Sequence, residues 1–493
     1  MNKFFSFSVI FYLVSALFFT SCEEVKEVEA KKSEVASLAF GPQKTFKIAQ
    51  FTDIHWKNEN AEECENTIKM IRFVLETEKP DLVALTGDIV NDPAEAGWKA
   101  VMSVFTEAGI PFAVTLGNHD DESDWSRDQI FDYLETLPGF IGQKGPSDIT
   151  GVGNYVVELK SDSNSKTSAL LYFFDSNAYC NNKKISDYDW IKFDQIEWYR
   201  NQSSRYTAAN EGKPLPALAF FHIPLLEYKE ISGKENTLGQ EFEGVYSPQI
   251  NSGLFGSFVD MRDVIGTFVG HDHDNNYVGI HKEIALAFGQ NSGYSGYGIF
   301  AKGSRIIELK EGEFGFDTWI RTQDSAYFYY NYPFGLHREV DENEYLPSQN
   351  PDLVHEGLLY NYFEGKFKSV NDFPFGNPVK SGKTQNFDLG LADAKDFFGI
   401  EFHGLIKIPE KGLYKFYTFS DDGSQLFIGG KLVVDNDGSH SASRKEGSVA
   451  LEAGFHDLRL MFFDDYMGET LEVGFSSIKS REATIPDAML FHK

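Results

Sequence analysis

Six short apolar runs recur along the first two-thirds of the chain, at residues 46–51, 82–85, 112–114, 170–174, 218–221 and 267–269, each bounded by polar or turn-forming residues. Their length and nearly unbroken apolarity predict strands buried on both faces. Residues 62–78, between the first two runs, carry apolar positions at helical spacing, and Pro80 stops them, which predicts a helix. Such alternation from about residue 46 to 321 predicts a layered α/β domain, placed at 45–325. In open α/β sheets ligands gather at the carboxyl ends of the strands. Beyond Gly357 helical spacing disappears and short strands with Gly, Asp and Asn turns take over, which predicts an all-β domain over 353–493. Residues 326–352, with Pro333, Pro347, Pro351 and many aromatic residues, read as a linker that packs.

The N-terminus reads as an export signal over 1–21: Lys3 supplies a positive start, and the apolar stretch at 4–19 is too short to span a bilayer comfortably. It ends Phe19-Thr20-Ser21-Cys22, which resembles a bacterial lipoprotein box with Phe in place of the usual Leu. That resemblance implies that Cys22 becomes the lipidated first residue; a plain signal peptide cut near Ser21, or an uncleaved anchor, are the alternatives. Residues 22–44, charged at their start and without apolar periodicity, read as a tether. The expected location is a membrane-anchored bacterial lipoprotein, periplasmic or on the cell surface. No other segment is long and apolar enough to cross a bilayer.

Composition narrows the function classes. At 493 residues, 42% hydrophobic and 15% aromatic, the chain has material for two or three globular domains. Its 74 acidic against 45 basic residues leave a formal charge of −29, which argues against nucleic-acid binding, since phosphate backbones demand a cationic face. Anionic substrates must then be drawn in locally, by metal charge. After Cys22 only Cys64 and Cys180 remain. Either a disulfide or two buried thiols fits them, and neither supports a cysteine nucleophile.

The strongest chemical signal is five polar stretches, each directly after an apolar run: Asp53-Ile54-His55, Gly87-Asp88, Gly117-Asn118-His119-Asp120, His222, and Gly270-His271-Asp272-His273. Asp, Asn and His are hard oxygen and imidazole donors, suited to two first-row transition metals rather than to a thiolate zinc knot. Singly, each has a bland reading: a lone His is usually a hydrogen-bonded histidine, and Asp or Asn beside a strand end is usually a turn or cap residue.

Together and in this order, the five stretches resemble the metallophosphoesterase, or calcineurin-like phosphoesterase, superfamily. The phrases around His222 and His271, with the Gly/Tyr run at 293–298, are similar to a small plant and fungal branch related to purple acid phosphatases. The resemblance implies a four-layer α-β-β-α sandwich. It implies that Asp53, His55, Asp88 and His273 hold one metal and Asp88, Asn118, His222 and His271 the other, with Asp88 bridging cations about 3.5–4 Å apart. His119 would contact the phosphate or protonate the leaving oxygen, with Asp120 orienting its imidazole. True purple enzymes carry a metal-bound Tyr shortly after the bridging Asp; here Ile89-Val90-Asn91-Asp92 follows Asp88, so the metals are expected to be Fe, Mn or Zn, divalent or mixed-valence, without tyrosinate colour. The implied reaction is hydrolysis of a phosphate ester by metal-bound hydroxide. A phosphomonoester is favoured, in the manner of an acid or phosphoprotein phosphatase; a phosphodiesterase or pyrophosphatase acting on nucleotides or lipids is the alternative.

The second domain carries Asp421-Asp422-Gly423 after an apolar run, and Ala453-Gly454-Phe455-His456 further on. It resembles the PA14 domain, a β-sandwich of adhesins, toxins and glycan-acting enzymes. That resemblance implies a Ca²⁺ site at Asp421 and Asp422 that grips sugar hydroxyls, and oxygen-only ligation suits calcium. The same pair also has a plain reading, as the shaper of a turn. A second function class follows: a glycan-binding surface adhesin on an inactive phosphatase scaffold. The intact set of metal donors favours the enzyme.

Overall fold

The computed structural model describes residues 38–162, 165–234, 236–336 and 340–493. The export signal, Cys22 and the tether up to residue 37 lie outside the described residues.

All six apolar runs are strands, divided three and three between two sheets. Thr45–Phe51, Leu82–Thr86 and Phe112–Thr115 run parallel at one side of a seven-stranded sheet. Thr167–Phe173, Ala217–Phe220 and Val264–Val269 run parallel within a six-stranded sheet. Alternate side chains explain the unbroken apolar pattern. Leu171, Phe173, Leu218 and Phe220 share one core with the first sheet. Leu170, Tyr172 and Phe174 point the other way, to Tyr199 and Phe258 on the helices Phe193–Ala209 and Leu254–Met261. Both faces are covered, so neither set can be polar.

The helices Ala61–Glu78 and Ala94–Ala108 cover the seven-stranded sheet with Met70, Ile71, Val74, Trp98, Met102 and Phe105. The first ends where expected: Lys79 turns left-handed, its N–H closes on Leu75, and Pro80 follows. Helix, sheet, sheet and helix form the four layers.

The linker assigned to 326–352 needs correction. Ala326–Tyr332 pairs antiparallel with Phe316–Thr322, and Gly335–Leu336 pairs with Ala326–Tyr332, so these residues complete the edge of the seven-stranded sheet. The aromatic residues that suggested a packed linker are a strand whose Tyr330 and Tyr332 are buried while Tyr329 is exposed, with Pro333 in the turn that follows. Leu346 and Gln349 already bridge to Leu451 and Phe455 of the next domain.

The C-terminal part is an all-β sandwich. Phe398–Ile408 pairs along its whole length with Gly454–Asp464, and Gly412–Asp421 sits between Ser443–Leu451 and Thr470–Ser477 in the opposing sheet. Ile400, Phe402, Phe416, Leu460, Phe462 and Phe475 fill the space between them. Cys64 and Cys180 are both buried free thiols, which decides between their two readings.

Candidate metal centre

Every polar stretch leaves the carboxyl end of a parallel strand, and the ends converge. Asp53, His55 and His273 form one group and Asp88, His222 and His271 a second; within each, the donor atoms lie within 4.8 Å of one another, and all six residues are buried. Asp88 joins them: its Oδ2 is 3.1 Å from His222 Nε2 and 3.6 Å from His55 Nε2. His273 Nε2 lies 3.4 Å from Asp53 Oδ1 and 3.0 Å from His55 Nε2, and His271 Nδ1 lies 3.3 Å from His222 Nε2. Asn118 completes the set. Its Nδ2 donates to the Tyr179 hydroxyl at 3.0 Å, while its Oδ1 is buried with no hydrogen-bond partner among the described residues.

The backbone bends sharply to do this. Asp53, His55, Asp88 and His271 all adopt left-handed φ values, 54°, 48°, 52° and 76°. Four such non-glycine residues at one place mark strain held by the surroundings. Two glycines of the motifs are there for clearance. A Cβ on Gly117 would stand 2.1 Å from Asp88 Oδ1, and one on Gly87, itself at φ 86°, would stand 2.5 Å from His222 Nδ1. Outer partners then aim the imidazoles: the far Nδ1 of His55, His222 and His273 meets Asn91 Oδ1 at 2.6 Å, the Thr86 carbonyl at 2.9 Å and the Tyr297 carbonyl at 2.8 Å. Each bond fixes a tautomer that turns Nε2 inward.

In the absence of a cation the facing carboxylates and imidazoles answer one another's charge, so His222 and His273, both held up by a carboxylate, must release a proton to become metal donors. Burial would raise both carboxylates, but the facing His273 holds Asp53 down, and His222 and His55 hold Asp88 well below the usual range. Burial pushes His55 down to about 4; burial together with His222 pushes His271 down to about 3. His222 goes the other way: burial opposes its charge, yet Asp88 against Nε2 holds it up at about 9. Ionised carboxylates, inward-facing imidazole nitrogens and an unpartnered amide oxygen are the donors that a pair of divalent cations requires. The residues present therefore fit such a pair.

The expected role of Asp120 is corrected. Its carboxylate does not face His119; it accepts backbone N–H bonds from Asp88, Ile89, Val90 and Gly117, at 2.7–3.0 Å. Glu122 holds the imidazole instead, with Oε2 2.6 Å from His119 Nδ1. His119 stays partly exposed, its ring 5.3 Å from that of His55, at the edge of a cavity of about 220 Å³ lined also by Asn118, Tyr188, Tyr246 and Tyr297. The Gly/Tyr run at 293–298 is thus a wall of the site: Ser295, Gly296 and Tyr297 line it, and the Tyr297 ring stacks on His273 at 3.9 Å. Asn91 and Glu122 escaped the sequence reading.

Asp421 and Asp422 lie at the end of a strand of the C-terminal sandwich, with carboxylate oxygens committed to backbone amides: Asp421 Oδ2 to Ala442, Asp422 Oδ1 to His440 and Oδ2 to Asp465, at 2.8–3.0 Å. Among the described residues no group of three His, Cys, Asp or Glu donors gathers there. Nearby Asp464 is fully buried, and its Oδ1 has no hydrogen-bond partner among the described residues.

Comparison with known proteins gives two family matches, the calcineurin-like phosphoesterase model over residues 46–275 and the PA14 domain model over 355–487. "Probable inactive purple acid phosphatase 29" of Arabidopsis thaliana is 34% identical over 330 residues, covering 58% of this chain and 85% of that protein. "Phosphatase DCR2" of Saccharomyces cerevisiae is 34% identical over 322 residues, 57% of this chain and 54% of that one. Among solved structures, a dimetal phosphatase from Danio rerio aligns with 57% of this chain and 98% of its own at 11% identity, with a TM-score of 0.41.

Proposed function

Because the chain belongs to the calcineurin-like phosphoesterase family and carries a PA14 domain behind that unit, we propose that it is an exported, lipid-anchored phosphomonoesterase whose second domain binds glycans at the envelope. The observation that carries the hydrolase reading is the single Asp88 oxygen placed between His55 and His222, with Asn118 Oδ1 buried and unpartnered beside it. Asp53, His55, Asp88 and His273 would hold one cation and Asp88, Asn118, His222 and His271 the other. When bound, the two supply Lewis-acid charge that polarises a phosphoryl oxygen and makes water acidic enough to attack near neutral pH.

The chain's own residues do the rest. Tyr188, Tyr246 and Tyr297 wall the cavity, whose volume of about 220 Å³ has room for a phosphoryl group. Glu122 ties up His119 Nδ1, so Nε2 is the atom that faces the leaving oxygen, and it delivers the proton as the ester bond breaks. Asp53 and Asp88 are both buried, so solvent screens their charge little.

The word "inactive" in the Arabidopsis relative's name favours a second reading, a glycan-binding protein on a scaffold that no longer hydrolyses. Aryl phosphate mono- and diesters assayed side by side on metal-loaded protein separate the readings. Monoester turnover should dominate, and His119→Ala should keep its metals while losing roughly a hundredfold in rate. Diester preference would overturn the substrate class. Absence of turnover on either ester would leave the binding protein as the better account.

A further inference from the structure

We propose that the cavity between the phosphoesterase and the C-terminal sandwich is a second binding site, for a small organic oxyanion: a carboxylate or phosphate on a sugar-sized body. The cavity measures about 890 Å³, within the range of small-molecule sites. It is walled by the end of the helix Leu254–Met261, the hairpin turn at Lys282 and Glu283, and the strands Thr470–Ser477 and Ser480–Thr484.

Arg481 carries the inference. Its side chain is only 10% exposed, its Nη2 forms a long ion pair with Glu283 at 3.8 Å, and its Nε and Nη1 have no hydrogen-bond partner among the described residues. A guanidinium cannot shed its charge, so burying two donors unmet is costly unless something answers them. Nε and an Nη present a fork that matches two oxygens of one carboxylate or phosphate. Two further cations stand on the same side. Arg262 donates to the Glu482 carbonyl at 2.8 Å, and neither it nor Lys282 forms an ion pair among the described residues. The opposite wall is already neutralised: Lys415 and Arg444 pair with Glu446, and Arg444 also with Glu482. Taken together the lining carries five cationic side chains, Arg262, Lys282, Lys415, Arg444 and Arg481, against four carboxylates, Glu283, Glu446, Glu472 and Glu482, a local positive excess in a chain of net charge −29.

The lining also limits the ligand. Glu283 and Glu482 stand beside the guanidinium, which disfavours a polyanion, while Phe314, Phe334 and Tyr417 offer apolar and aromatic surface for a neutral body. One oxyanion on a compact ring satisfies both conditions.

Calorimetric titration of the metal-loaded full chain with sodium glucuronate, and separately with inorganic phosphate, tests this. Glucuronate should bind once per chain, at least tenfold more weakly to Arg481→Gln and severalfold more weakly to Lys282→Asn, which keeps a residue tolerant of the left-handed turn. Phosphate should show a site beyond the metal centre that disappears in Arg481→Gln. Aryl phosphate turnover should be unchanged in both variants, which separates this site from the catalytic one and shows that the fold survives. Should Arg481→Gln fail to fold, Lys282→Asn decides alone. A response to only one anion identifies the ligand as carboxylate or phosphate. The proposal is overturned if wild type binds neither outside the metal centre, or if both variants bind as wild type does.

Discussion

Asp120 accepts four backbone N–H groups drawn from two loops, the turn after Leu82–Thr86 and the turn after Phe112–Thr115. It is therefore the clasp that sets Asp88 against Asn118, and burial together with the charge of Asp88 pushes its carboxyl up to about 6. Asp120→Ala leaves those buried amides unmet. At roughly 1–3 kcal/mol per unsatisfied group, partly relieved by water, it should destabilise the fold by about 3 kcal/mol or more and lower metal content, which denaturation and metal analysis would register. Wild-type stability in this variant would remove the clasp role. The metal donors were legible residue by residue, since each follows its own strand within a few positions. Glu122 and Asn91 were not. Glu122 lies two residues past a motif that already offered a carboxylate, and Asn91 follows Asp88 in a stretch whose notable feature was a missing tyrosine. Tyr297 helps through a backbone carbonyl, which no side-chain pattern announces.

At the scale of elements, what matters is how closely one turn approaches the next. Gly117 leaves 2.1 Å between its missing Cβ and Asp88 Oδ1, with backbone and carboxylate atoms that have no room to retreat. Gly117→Ala should displace Asp88 and lower both metal occupancy and turnover by at least tenfold, while the sheets remain folded by circular dichroism. Normal metal loading in that variant would show the approach to be slack. The parallel strands were readable because burial on both faces erases polar positions. The antiparallel strands of the same sheets were harder. Gly303–Lys310 and Phe316–Thr322 mix charged residues into their pattern, and Arg305 among them is fully buried yet satisfied by the carbonyls of Phe288 and Asn276 and the Thr318 hydroxyl. Ala326–Tyr332 reads as linker because a strand next to the sheet edge, half exposed on one face, looks like any aromatic-rich loop.

For the whole molecule, the two halves respond to different conditions. Asp464, fully buried in the C-terminal sandwich, is pushed up to about 6 by burial, with Asp422, Asp396 and Glu469 adding to it. Its folded pKa lies above the unfolded value of 3.8, so the native state holds that proton more tightly. Stability from it is complete below about pH 4 and is lost as pH rises through about 6. Asp464→Asn should accordingly stabilise the protein near pH 7 by on the order of 2 kcal/mol and change little at pH 4, as read by thermal or urea denaturation. An equal effect at both pH values would contradict the assignment. Ca²⁺ added at pH 7 should stabilise wild type and not this variant if a cation belongs there.

The phosphoesterase half stands or falls on its metals. The most direct measurement is metal content per chain in purified wild type and in Asp88→Ala, by elemental mass spectrometry after loading with Mn, Zn or Fe. A shared bridging carboxylate predicts about two ions per wild-type chain and close to none in the variant. One ion per active wild-type chain, or full loading without Asp88, would contradict the binuclear account.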